Sequence, residues 1–134
     1  MSRRSARDAL AVEVIGDALD REVVERAAVL AAATAGVRDG HVAVAFVGPG
    51  QIAALNAEHR GKEGPTDVLS FPVDGADPDV LGERELGDVV ICPEHTVDLA
   101  EAVVHGVLHL VGMDHEADEG EMLAVQAEVM TWIR

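Results

Sequence analysis

The segment His41-Val-Ala-Val-Ala-Phe-Val47 is apolar at every position after its first residue and ends on Gly48-Pro49-Gly50. A strand with one wet face alternates apolar and polar side chains, whereas a run that is apolar in both registers and rich in Val reads as a strand covered on both faces. Such a strand lies inside a sheet with other elements packed above and below it, which limits the chain to layered α/β and α+β architectures. The uncharged stretch from His41 to Ala57 is interrupted by the Gly-Pro-Gly turn, so it is no membrane span.

The remaining segments supply the layers. Leu10 to Ile15 alternates weakly and reads as an opening strand, behind a polar arm over residues 1–9 that carries Arg3, Arg4 and Arg7 and is expected to fray. Asp20 is a good N-cap, and Val23, Val24, Ala27, Ala28, Leu30 and Ala31 then recur at helical spacing until Gly36. Gln51 to His59 predicts a short amphipathic helix through Ile52, Leu55 and Asn56, with a Gly- and Pro-containing loop from Arg60 to Thr66. Asp67 to Val73 reads as a strand whose Pro72 marks an edge position or a terminus. After an acid-rich loop from Asp74 to Glu85, Leu86 to Cys92 is the fourth strand. Pro93 suits a first helical turn, and Val97, Ala100, Val104, Leu108 and Val111 predict the inward stripe of one helix ending at Gly112. A last helix is expected over about Glu119 to Ile133. The order predicts an α+β fold with α/β-like layers, a four-stranded sheet under four to five helices, in a single domain over residues 1–134.

Composition narrows the function. Aromatic residues make up 2% of the chain (Phe46, Phe71, Trp132), so the core is built from Val, Ala and Leu and little remains for stacking on bases. Ten Lys and Arg against 25 Asp and Glu give a net charge of −15, which disfavours any broad basic face for nucleic acid. The single cysteine, Cys92, excludes an internal disulfide, suits a reducing compartment and reads as a small buried strand residue. With neither a signal-peptide pattern nor a membrane span, a cytoplasmic soluble protein is expected.

Chemistry concentrates in the string HGVLHLVGMDHE, residues 105 to 116. Positions i and i+4 of a helix share a face, so His105 and His109 can offer two imidazole nitrogens to one metal ion, at about 2.0–2.1 Å for zinc. Gly112 can take the left-handed conformation that reverses the chain and brings His115 back to the other two. Three histidines leave a fourth position open, as catalytic zinc sites do; Cys92, at the end of the preceding strand, is the less fitting fourth ligand. The spacing His-x3-His-x2-Gly-x2-His is that of metzincin proteases, but Gly106 stands where those enzymes have their general-base Glu. Glu116 or Asp114 can replace that base, and Asp114 also suits a carboxylate that orients a ligating imidazole.

HGVLHLVGMDH resembles the HGxLHLxGYDH signature of the YbeY family of metal-dependent endoribonucleases. LNAEHRGKEGPTDVLSFP, residues 55 to 72, is similar to that family's LNxxYRxKDxPTDVLSFP segment, and LGDVVICPE, residues 86 to 94, to its LGDIxIxxE strand. The resemblance implies a four-stranded mixed sheet with helices, with His105, His109 and His115 as zinc ligands and catalytic residues. It implies that Arg60 engages the RNA phosphate and that Lys62, Thr66, Asp67 and Ser70 line the same cleft. It also implies action in the cytoplasm on precursors of ribosomal RNA at the small ribosomal subunit, notably the 3′ end of its RNA, and in ribosome quality control. The sequence departs from the pattern at His59, where the family has an aromatic residue, at Met113, where it has Tyr, and in the short stretch between Glu94 and His105.

Physical chemistry supports the implied reaction: zinc brings bound water to a pKa near 7 and polarises a phosphoryl oxygen, and the planar fork of Arg60 suits a phosphodiester. Three imidazoles also accept nickel or another divalent ion. The charge of −15 against the local Arg60 and Lys62 predicts engagement of single-stranded RNA at few phosphates, and no binding of long duplexes. Two other readings fit the same residues, a non-catalytic ribosome-assembly factor stabilised by its metal and a zinc hydrolase or peptidase with a non-standard base. Oligomeric state is left open.

Overall fold

The computed structural model describes residues 9–133. The arm expected over residues 1–9 lies, apart from Ala9, outside the described residues. In chain order the elements are β1 (Leu10–Ile15), α1 (Arg21–Ala33), β2 (Gly40–Phe46), α2 (Pro49–Arg60), β3 (Val68–Pro72), β4 (Glu85–Ile91), α3 (Leu99–Leu110) and α4 (Glu121–Ile133). The strands form one sheet in the order β1-β2-β4-β3. β1, β2 and β4 run parallel, and β3 joins β4 antiparallel, so the sheet is mixed.

The interior position of β2, beside β4, accounts for the apolar run from His41 to Val47. On one face Val42 and Val44 of β2 and Leu86, Val89 and Ile91 of β4 pack with α1, α3 and α4 in the main core. On the other, α2 sets Ile52 against Leu69, Val90 and Cys92 in a smaller apolar cluster. Each fully buried Val, Leu or Ile contributes roughly 1.5–3 kcal/mol of transfer free energy, and both faces of the sheet draw on it. α1 begins where Asp20 accepts the N–H of Glu22 at 2.8 Å, and its buried face is small: Val24, Ala27, Ala28, Ala31 and Ala32. Pro72 closes β3, the edge strand, where its missing N–H leaves no ladder bond unmade. On the part of the sheet that α2 leaves open, His41 lies between Glu85 at 2.7 Å and Glu13 at 3.1 Å, joining β4, β2 and β1.

The expected single helix from Pro93 to Gly112 is instead two pieces. Pro93 opens a short 3₁₀ turn, Pro93–His95, which ends where Thr96 Oγ1 donates to the Cys92 carbonyl at 2.7 Å. The backbone is extended at Thr96 and Asp98, and the Asp98 carboxylate then accepts the Glu101 N–H at 3.1 Å to start α3 at Leu99. Val97 is therefore fully exposed and belongs to no inward stripe. Periodicity alone carried the stripe across the break; the Asp98 cap with Glu101 three residues on was the local signal against it. A smaller shift concerns Arg60, which is the last residue of α2, with Gly61 as the left-handed cap at φ 65°, rather than the first residue of a loop.

Candidate metal centre

α3 is pressed onto the sheet at Gly106. A Cβ there would lie 2.4 Å from Val89 Cγ1, and Ser70 Oγ on β3 donates to the Gly106 carbonyl at 2.8 Å. This contact brings the last turns of α3 alongside β3 and leaves no room for a side chain at the position where metzincins keep their general base. The helix then ends in a Schellman motif: Gly112 N–H reaches the His109 carbonyl and Met113 N–H the Leu108 carbonyl, both at 3.0 Å. Gly112 has φ 101°, a conformation that a Cβ would strain. Asp114 continues the reversal, its carboxylate accepting the Glu116 N–H at 3.0 Å and its carbonyl those of Ala117 and Asp118.

The turn returns His115 to the other two imidazoles. Ring centroids are 4.8 Å apart for His105 and His109, 5.0 Å for His105 and His115, and 5.3 Å for His109 and His115. Three imidazoles on one tetrahedral ion with metal–nitrogen bonds of ~2.0–2.1 Å place their ring centres about 5 Å apart, so the spacing fits. All three rings are half-buried, and they are the one group among the described residues with metal-ligand geometry. Among the described residues, His115 Nδ1 is buried without a hydrogen-bond partner, a costly arrangement unless another group satisfies it. The His109 pKa lies below 6.5, chiefly through burial and then through the neighbouring His105 and His115, against the Met113 backbone and Asp114, which pull it up. This shift favours the neutral ring, the form in which an imidazole ligates a metal. Cys92 is fully buried in the apolar cluster beside Ile52 and Leu69 and stands outside the group, so its expected use as a core residue holds.

The triad opens into a cleft of about 830 Å³ whose lining includes Arg60, Thr66, Asp67, Ser70, Asp114 and Glu116. Of the polar residues expected there, Lys62 alone is outside this lining; it is exposed on the turn beyond α2. Arg60 is exposed and forms no ion pair among the described residues, so its guanidinium is available to an anion. Thr66 Oγ1 donates to Asp67 Oδ1 at 3.3 Å, and the same oxygen accepts the Val68 N–H at 2.8 Å, which shapes the entry to β3. Ser70 is engaged with Gly106, so within the structure it joins β3 to α3. His59 meets Phe71 edge to face, with ring centroids 4.9 Å apart. The carboxylate of Asp114 serves the turn, while the partner of His105 is Gln126 Oε1 on α4, 2.8 Å from Nδ1. Gln126 was not expected from the sequence, although it is a polar residue on the stripe that also carries the buried Met122, Val129 and Met130.

No helix of the described residues is long and apolar enough to cross a membrane. Residues 11–134 match the family model for endoribonuclease YbeY. An endoribonuclease YbeY of Rubrobacter xylanophilus is 49% identical over 100 residues, which cover 72% of this chain and 70% of that protein. An endoribonuclease YbeY of Macrococcus caseolyticus is 34% identical over 132 residues, covering 85% of this chain and 86% of its own. The solution structure of TM1509 from Thermotoga maritima superposes with a TM-score of 0.54 at 26% identity, over 91% of this chain and 88% of the other. With the family model matched from β1 to the end of the chain, and the triad, the cleft and the mixed sheet arranged as described, this chain belongs to the endoribonuclease YbeY family.

Proposed function

We propose that the protein, acting as a single domain, is a zinc-dependent endoribonuclease that cuts single-stranded RNA. We extend this to ribosomal RNA precursors in the cytoplasm, including the 3′ end of small-subunit RNA, and to ribosome quality control. The family membership supports the reaction class. The observation that carries the reading is the convergence of three imidazoles on a cleft that also holds the guanidinium of Arg60.

His105, His109 and His115 would hold the ion. Bound there, zinc supplies Lewis-acid polarisation of a phosphoryl oxygen and water acidified to a pKa near 7. Arg60, at the C-terminal end of α2, presents two parallel N–H donors to the phosphodiester and offsets the charge that develops on it. Asp67, Asp114 and Glu116 in the same lining repel additional phosphates, so one or two phosphates of a flexible strand are engaged rather than the face of a duplex. Binding to free RNA is accordingly weak, with a shallow salt dependence.

Purified protein should cleave single-stranded RNA, lose cleavage with a chelator and with His109→Ala, and recover with added zinc. Cleavage that survives either treatment refutes the proposal. Turnover of peptides in place of RNA would favour a hydrolase with Glu116 as its base.

A further inference from the structure

We propose that Gln126 positions His105 for the metal by fixing which of its ring nitrogens carries the proton, a role that rests on the metal-binding part of the reading above and not on the RNA part. Gln126 Oε1 lies 2.8 Å from His105 Nδ1. A carbonyl oxygen only accepts, so Nδ1 is the N–H and the lone pair of His105 sits on Nε2. Among the described residues, His115 Nδ1 has no hydrogen-bond partner. His105 is tied to a separate element, 21 residues away in sequence.

That element is well anchored. Met122 is fully buried, Val129 and Met130 nearly so, and all three join the main core. Packing of α4 therefore sets where the amide stands, and the amide sets the tautomer and the plane of the His105 ring. A half-buried Gln is suited to this task because it is neutral: it orients the imidazole without making it more basic, and its acceptor is present at any pH.

The test uses zinc as the probe and compares wild type with Gln126→Leu, which keeps the volume and removes the acceptor, and Gln126→Glu, which keeps an acceptor. Two-bond proton–nitrogen spectra of the metal-free protein at mildly alkaline pH should show His105 protonated at Nδ1 in wild type and in Gln126→Glu, and a mixture of tautomers in Gln126→Leu. Zinc affinity, measured by competition with a chelating dye, should fall about 10- to 100-fold in Gln126→Leu and be restored in Gln126→Glu. Retention of the Nδ1–H tautomer in Gln126→Leu, unchanged zinc affinity in that variant, or failure of Gln126→Glu to restore it would each overturn the role of Gln126. If Gln126→Leu does not fold, Gln126→Met gives the same comparison. Wild-type protein that binds no zinc would overturn the metal reading itself, an outcome distinct from zinc binding that ignores residue 126.

Discussion

Replacing Gly106 with Ala tests whether close contact between α3 and the sheet builds the site. By propensity alone, Ala at this interior helical position should stabilise the protein by about 1 kcal/mol. The structure predicts the opposite sign. The new Cβ would lie 2.4 Å from Val89 Cγ1, 3.0 Å from Cγ2 and 3.3 Å from Ser70 Oγ. Val89 is fully buried and branched at Cβ, so it has no free rotamer to retreat into and the helix must move instead. Overpacking of this kind costs about 1–3 kcal/mol, and straining the Ser70 hydrogen bond about 1 kcal/mol more. After the propensity gain is subtracted, the net loss is about 1–3 kcal/mol, equivalent to roughly 3–5 °C in Tm per kcal/mol for a domain of this size. Urea unfolding gives the stability, and a cycle with Val89→Ala gives the cause. Val89→Ala alone leaves a void and costs about 1–3 kcal/mol, but the methyl added by Gly106→Ala fills that void, so the double variant should be more stable than the sum by about 1 kcal/mol or more. A Gly106→Ala protein as stable as wild type, or costs that add within about 0.5 kcal/mol, would refute the reasoning.

Three further outcomes are expected. Gly112→Ala meets no neighbouring atom within 4 Å, so its cost is conformational, about 1–2 kcal/mol for the left-handed backbone; calorimetry should show that loss and a zinc titration weaker binding as His115 shifts, whereas unaltered zinc binding would separate the turn from the site. Cys92→Ala should lower stability modestly while leaving one metal ion per chain, and loss of metal by elemental analysis would make Cys92 a ligand after all. For His41, burial pulls the pKa down, but the hydrogen bonds and charges of Glu85 and Glu13 outweigh it and the net value is above 6.5. A folded-state pKa above the unfolded one adds stability that is fully present below about pH 6.5 and is lost as pH rises through the raised value. The stability difference between wild type and His41→Gln, followed by urea unfolding, should therefore shrink toward alkaline pH; a difference that grows with pH would contradict it.

The sequence alone determined what depends on neighbours along the chain. The doubly apolar run from His41 to Val47 required an interior strand, and Val42, Ala43 and Val44 are buried. Asp20 marked the start of α1, Pro72 an edge position or a strand terminus, and the spacing of His105, His109, Gly112 and His115 the convergence of three imidazoles, because caps, left-handed reversals and i, i+4 faces are local properties. The same locality misled at Val97, where helical spacing ran through a break made by Thr96 and Asp98. The tertiary structure decided the rest. Insertion of β4 between β2 and β3 set β3 beside α3, so Ser70 meets Gly106 across 36 residues, and docking of α4 brought Gln126 to His105 across 21. Such contacts follow from strand order and from which helix covers which face; a polar residue on a helix shows that it needs a partner, and only the packing of the whole chain supplies one.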